Sequence, residues 1–364
     1  MENKLGVSTL TQEVKTIVKS IDEPGAIQEA TAILRRGGLV AFPTETVYGL
    51  GGDALQSDAS MKIYAAKGRP SDNPLIVHIG RSEDVYKLAE VVPEKAKMMM
   101  EAFWPGPLTM IFKKKSFIPD ETTGQLPTVA IRYPSHPGTI KLMRDSGIYI
   151  AGPSANTSGH PSPTTAEHVY HDLNGKIDMI LDGGPVGIGI ESTIVDFTGD
   201  IPTICRPGFI TKKMMEEVIG PVIIDPALIE PDPSLHPKAP GMKYTHYAPQ
   251  GKLSIVENKE NPALVTDAVV DKINELVAEH KAKGETTAIM TTSNMANRYH
   301  ADHIILLGEQ ASGDTVAAHL YAALRECDDT GAQYIYSESF NRDDLGGAIM
   351  NRLLKAAGHR VVQV

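Results

Sequence analysis

Apolar and polar positions give the chain three successive rhythms. Up to residue 220, short apolar runs alternate with amphipathic stretches. The runs predict strands at 38–42, 75–79, 108–113, 129–132, 148–151, 179–181, 193–197 and 203–205. Apolar residues recurring every three or four positions predict helices at about 24–36, 58–67, 82–103, 137–146, 164–173 and 211–219. Several strands follow one another with no helix between them, which predicts an α/β class with a mixed, twisted open sheet. The rhythm then breaks. Pro221, Pro226, Pro231, Pro233, Pro237, Pro240 and Pro249 make a continuous helix or strand untenable over 221–250, so this stretch reads as a connector. A regular alternation follows, with strands expected at 252–256, 286–290, 303–307, 332–336 and 360–363 and helices at 261–283, 314–326 and 344–357. The expected organisation is a first domain over 1–220, a Pro-rich connector over 221–250, and a smaller Rossmann-like α/β domain over 251–364.

Composition agrees with two cores, since 364 residues suffice for two domains and aromatics are only 5%. The net charge is −10, and residues 1–220 carry 22 basic against 26 acidic side chains, so the basic excess of a protein held mainly by nucleic-acid phosphates is absent. Cys205 and Cys327 are far apart and unpaired by motif, arguing for a reducing compartment and against a zinc or disulfide framework. Residues 1–20 lack the apolar core of a signal peptide, and no run approaches the ~20 apolar residues of a membrane span. A cytoplasmic protein is expected.

The chemistry gathers where predicted elements end. Lys67-Gly68-Arg69 closes a helical stretch; Gly68 suits a left-handed cap and Pro70 blocks continuation. Two cations would be fixed there on a tight turn, although on spacing alone a solvated helix end complementing the dipole is the simpler reading. Ser154-Ala155-Asn156 follows a strand and offers a hydroxyl and an amide, which with the cations would suit a polyphosphate or a carboxylate. Residues 42–52, from Phe42 to Gly52, begin at a strand end and read either as a Gly-rich turn or as a ligand loop. His78, Arg132, Glu191-Ser192-Thr193 and Arg206-Pro207-Gly208 repeat the strand-end placement, and together they suggest one crevice. Neither G-x-x-x-x-G-K-[ST] nor G-x-G-x-x-G occurs, so a nucleotide would be held without a P-loop or dinucleotide fingerprint. His236 and His246 have no accompanying ligand pattern, and no dedicated metal site is expected. Lys113-Lys114-Lys115 reads as a solvated loop within reach of RNA. The connector's segment 240–249 is too aromatic for a solvated linker and reads either as interface packing or as a lid.

Taken in order, Pro-Thr-Glu-Thr-Val-Tyr-Gly-Leu-Gly at 43–51, Lys67-x-Arg69, Asn73 to His78, Trp104 to Thr109, Val129 to Arg132, Pro153 to Asn156, Pro161 to Thr164, Glu191 to Thr193, Arg206 to Gly208 and segment 240–249 resemble the threonylcarbamoyl-AMP synthase family. The match is to its YrdC-like proteins in the longer, two-domain YwlC-like form, and Gly347 to Arg352 resembles those members too. The resemblance implies a nucleotidyltransferase that turns L-threonine, bicarbonate or CO2, and ATP into threonylcarbamoyl-AMP and pyrophosphate. The product would pass to a separate transferase that modifies tRNA. Mg2+ would be carried by ATP. By the same resemblance Lys67 and Arg69 would be catalytic. Lys67, Ser71, Thr128, Ser154, Asn156, Ser162, Arg206 and Tyr244 would bind ATP. Thr44, His78, Arg132, Gly152 and Ser192 would bind L-threonine, Arg132 through its carboxylate, and Tyr244 would belong to the lid. Lys67 and Arg69 are expected to face the crevice so that folding is indifferent to their loss, and a chain ended near Gly220 is expected to fold. Two other classes remain in view: an RNA-binding module, and a carbamoyl transferase that uses carbamoyl phosphate. Direct tRNA contact fits the first.

Overall fold

The computed structural model describes residues 14–228, 239, 247–309 and 312–364. Strand Val40–Phe42 shows why the first domain's strands are apolar throughout. Leu39 and Ala41 face one buried cluster while Val40 and Phe42 face another, so alternate residues enter different cores. Eleven strands form this sheet, in the order Ile17–Ser20, Met179–Asp182, Val40–Phe42, Gly49–Asp53, Ile150–Gly152, Ile76–His78, Thr128–Arg132, Leu108–Lys113, Thr193–Asp196, Thr203–Arg206 and Ile223–Ile224. Parallel and antiparallel neighbours are mixed, as the absence of intervening helices predicts.

Four elements depart from the sequence reading. Ile17–Ser20, where no strand was expected, is an edge strand parallel to Met179–Asp182. Gly49–Asp53 is a strand, whereas its glycines suggested a turn. It runs antiparallel to both Val40–Phe42 and Ile150–Gly152. A Cβ on Gly51 would lie 2.4 Å from Ile150 and 2.8 Å from Phe42, so close packing requires the glycine there. The helix expected over 82–103 is broken into Val85–Leu88 and Glu94–Phe103, with Ala89 bridging to Lys114 and Pro93 starting the second segment. Ile223–Ile224, inside the Pro-rich stretch, pairs parallel to Thr203–Arg206 as an edge strand.

The second domain has five parallel strands in the order His303–Leu306, Thr287–Thr291, Tyr334–Glu338, Lys252–Glu257 and Val361–Gln363. Helix Asp267–Lys281 covers one face through Val269, Val270, Ile273 and Val277. Helices Gly313–Asp329 and Asp344–Ala356 cover the other, over Leu253, Ile255, Met290 and Ile335. That second cluster also contains Val47 and Ile190 of the first domain, so the two cores are joined. Ending the chain near Gly220 would leave both side chains without that cluster. Among the described residues no helix is long and apolar enough to cross a membrane.

Gly51→Ala is expected to lower stability by about 1–3 kcal/mol, because rigid Phe42 and branched Ile150 must both move. Urea unfolding of the full chain checks this; an unchanged midpoint would mean the strand packs less tightly than described.

Candidate active site

Helix Ser57–Lys67 stops as its sequence predicts. Gly68 is left-handed at φ 62°, its N–H donates to the Ala65 carbonyl, and the Arg69 N–H donates to Tyr64 at 2.9 Å. This cap turns Lys67 inward. Its ammonium donates to the backbone carbonyls of Ser154 (2.5 Å) and Asn156 and reaches Asn156 Oδ1 at 3.4 Å. Lys67 is only 2% exposed, and burial, followed by the Arg69 charge, holds its pKa well below the ordinary value. The expectation that folding ignores Lys67 is therefore corrected: it ties the 154–156 loop to the helix end. Arg69 spans its own turn, donating to the carbonyls of Asn73 and Pro74 at 3.3 and 3.1 Å. Burial lowers it to about 10, so it stays charged at neutral pH. Ser154 Oγ donates to Asn156 Oδ1 at 2.5 Å, and the Asn156 amide donates to the Thr157 and His160 carbonyls.

Across the crevice, the Thr44 hydroxyl donates to the Val47 carbonyl at 2.6 Å and accepts the Thr46 and Val47 N–H groups, fixing the turn after strand Val40–Phe42. Glu45 then accepts from Arg132 at 2.7 Å with one oxygen and from the Ser135 N–H at 3.1 Å with the other. Arg132 Nε is buried with no partner among the described residues. His78 pairs with Arg132 across the parallel strands Ile76–His78 and Thr128–Arg132. Its Nδ1 lies 3.3 Å from the Ile150 carbonyl, and its ring meets Phe42 edge-on at 5.5 Å. Burial, then the Arg132 charge, lowers its pKa to about 3, so the imidazole is neutral. A Cβ on Gly152 would sit 2.6 Å from the Leu50 carbonyl; packing alone forbids a side chain there.

The third wall is built on Arg206-Pro207-Gly208. Arg206 donates to the Ser192 carbonyl at 3.0 Å and its hydroxyl at 3.1 Å, while Thr109 Oγ1 lies 2.7 Å from Ser192 Oγ. Gly208 presses on this segment so closely that a Cβ would fall 2.5 Å from the Thr193 nitrogen. Glu191 accepts from Ser162 at 2.6 Å, and from Tyr321 (2.7 Å) and Arg352 (3.1 Å) of the second domain. Burial would raise its carboxyl, but Arg352 and then Arg206 hold it down at about 2. Asp172 is treated similarly: burial opposes ionisation, yet a bidentate Arg325 (2.9 and 3.0 Å) holds it at about 2.

These walls enclose a crevice lined by Thr44, Lys67, Arg69, His78, Arg132, Gly152, Ser154, Asn156 and Arg206, all singled out from the sequence. Ser162 and Ser192 stand one contact behind it, on Glu191 and Arg206. Ser71 is exposed in the turn that Arg69 spans, and Thr128 opens the strand that Arg132 ends; neither lines the crevice. Tyr244 and the proposed lid centre lie outside the described residues. Just beyond them, Tyr247 also lines the crevice, with its ring 5.0 Å from Tyr321 and its hydroxyl pushed up to about 12 by burial. Sequence reasoning counted Glu45 only as the acid of the 42–52 loop and gave no role to Asp172, Tyr321, Arg325 or Arg352. A charged residue on the apolar stripe of a helix, as Arg325 and Arg352 are, was the available signal. Lys114 is not a free loop cation: it donates to the Ile118 carbonyl, Asp120 and Thr123. Among the described residues, no three His, Cys, Asp or Glu side chains converge as metal ligands.

A mixed α/β sheet that gathers cations and hydroxyls at its strand ends, backed by a parallel α/β domain, defines a two-domain YrdC-like protein. A profile of the Sua5, YciO and YrdC proteins, described as "Telomere recombination", matches residues 32–208, and one described as "Threonylcarbamoyl-AMP synthase, C-terminal domain" matches 210–358. The chain belongs to the threonylcarbamoyl-AMP synthase family. It is 48% identical over 364 residues to the threonylcarbamoyl-AMP synthase of Bacillus subtilis (strain 168), covering 100% of both chains. It is 44% identical to that of Pyrococcus abyssi over 342 residues, covering 94% of this chain and 97% of the other. The crystal structure of Pyrococcus abyssi Sua5 complexed with L-threonine superposes with a TM-score of 0.88, at 44% identity, over 96% of this chain and 99% of that one.

A folded-state pKa of about 3 means His78 cannot take the proton it would accept when unfolded. Its contribution to stability is therefore full above the unfolded value of about 6.5 and is lost progressively as pH falls toward 3. NMR of the imidazole nitrogens should show His78 untitrated from pH 8 to 5; a midpoint near 6.5 would place it in water.

Proposed function

We propose that the protein forms threonylcarbamoyl-AMP and pyrophosphate from L-threonine, bicarbonate or CO2, and ATP. The observation that carries this reading is the convergence of Lys67, Arg69 and Arg206 on one crevice with Arg132 and neutral His78. It offers a polyanion end and a carboxylate end side by side. Family membership supplies the reaction. The triphosphate would lie along Lys67, Arg69 and Arg206, near the Ser154–Asn156 loop, with its Mg2+ held by the phosphates and thus part of the substrate. L-threonine would place its carboxylate on Arg132, which Glu45 keeps from swinging away, and its small polar groups near Thr44, His78 and Ser192.

The amine of threonine adds to CO2 to give a carbamate, and a carbamate oxygen attacks the α-phosphorus as pyrophosphate leaves. Charge accumulates on phosphoryl oxygens throughout, so positioning and fixed cations do most of the catalysis. Arg69 is suited to this task because its guanidinium is already held by the Asn73 and Pro74 carbonyls. Lys67, whose burial lowers its pKa, would be drawn back to its charged form by a bound polyphosphate, and it shapes the loop that receives the ligand. The product would go to a separate tRNA threonylcarbamoyl transferase.

Pyrophosphate release should require threonine and labelled bicarbonate together and should yield a carbamoyl-adenylate; equal release with neither present would overturn the reading. Arg69→Ala should lower turnover by about tenfold to a thousandfold. Lys67→Ala should lower it comparably and also reduce thermal stability, because two backbone carbonyls lose their donor. Unaltered kinetics for Arg69→Ala would return it to a helix-end role.

A further inference from the structure

The second domain has no part in the chemistry just proposed, yet its buried polar side chains end on the walls of the crevice. Helix Gly313–Asp329 contributes two of them. Tyr321, fully buried, donates to Glu191, whose other oxygen accepts from Ser162. Arg325 forks onto Asp172 and also donates to the Pro161 carbonyl at 2.6 Å. Asp172 in turn accepts the Thr157 N–H at 2.9 Å, next to Asn156, whose carbonyl receives Lys67. Helix Asp344–Ala356 adds Arg352, also fully buried, which donates to Glu191 and to the Pro207 carbonyl.

Two chains of contact therefore run from the second domain into the first, one through Glu191 to Ser162 and one through Asp172 to Asn156 and Lys67. They meet at the adjacent residues Pro161 and Ser162. The loop that carries Glu191 is sandwiched as well. Gly189, at φ 83°, lies against the backbone of Ala317 and Ala318, while its N–H donates to the Thr46 carbonyl and that of Ile188 to Glu45. Apolar residues would dock two domains more cheaply than buried ion pairs do, so charges here are better explained by what they hold.

We infer that Tyr321, Arg325 and Arg352 are positioning residues of the second domain that set the nucleotide half of the crevice through Glu191 and Asp172. The inference builds on the synthase reading for the identity of the nucleotide, but its core statement concerns ATP affinity alone. None of these three side chains touches Arg132, His78 or Thr44 directly. That side meets the second domain through the Ile188 and Gly189 N–H bonds to Glu45 and Thr46 and the packing of Val47, which substitution of the three donors leaves in place. Losing a second-domain donor should thus weaken ATP and spare threonine.

The test uses the full chain with Tyr321→Phe, which keeps volume, and Arg325→Lys, which keeps charge but loses the fork. Leu320→Ala, a buried apolar contact of the same helix, reports on docking alone. Calorimetric titration with Mg-ATP in the absence of other substrates is compared with KM for ATP and threonine and with thermal stability. Tyr321→Phe and Arg325→Lys should weaken ATP binding by about tenfold, with the threonine KM within about twofold. Leu320→Ala should lower the melting temperature most and leave ATP affinity within about twofold. ATP affinity unchanged in both polar variants, or weakened equally by Leu320→Ala, would overturn the inference. Because ATP binding is read without turnover, a failure of threonine-dependent pyrophosphate release would count against the synthase reading only.

Discussion

Burying positive charge is the constraint around which this molecule is arranged. Lys67, Arg132, Arg206, Arg325 and Arg352 are all buried, and Arg69 is half-buried beside them. Each loses several kcal/mol of hydration, which only a well-placed partner offsets. Glu45, Asp172 and Glu191 answer Arg132, Arg325 and Arg352, and each is shared between its cation and a backbone N–H or hydroxyl. Asp72 adds a further negative charge near Arg69, and six cations still outnumber these four carboxylates. The remainder lies on the crevice side, where Lys67 is satisfied by neutral carbonyls and Arg206 by Ser192. A site left short of negative charge in this way is prepared for a polyanion, since the ligand supplies what the fold withholds.

Much of this was legible in the residues because strand ends announce themselves. Apolar runs located most strands of the large sheet, and the cap at Gly68 follows from elementary backbone sterics. The glycines at 49, 51 and 52 misled because a turn and a tightly packed central strand ask for the same residue. Only the neighbours Phe42 and Ile150 decide between them, and they are distant in sequence. The helix expected over 82–103 is interrupted between Ala89, which bridges to Lys114, and Pro93, which starts the second segment, so a tertiary contact and a proline together outweighed periodicity.

The harder residues to read were those whose role lies in another element. Glu45 stands in a conspicuous motif, yet its task is set by Arg132 and Ser135, some ninety positions away. Arg325 and Arg352 lie on helix faces with Leu320, Leu324, Ile349 and Leu353, where a cation is out of place by pattern. That mismatch marks a buried partner without identifying it. Family profiles divide the chain near residue 209, but the side chains do not respect the division: Val47 and Ile190 pack into the second domain's core.

The separation of Glu191 from Arg352 by 161 positions has a consequence for how the protein is made. At a synthesis rate of about 5–20 residues per second, roughly 8 to 30 seconds pass between the emergence of the carboxylate and that of its arginine. Tyr321 arrives only a little earlier. Through that interval Glu191 has only its first-domain partners, the Ser162 hydroxyl and the nearby Arg206 charge. Of the partners that hold Glu191, Arg352 is thus the last to be made, after Ser162 and Tyr321.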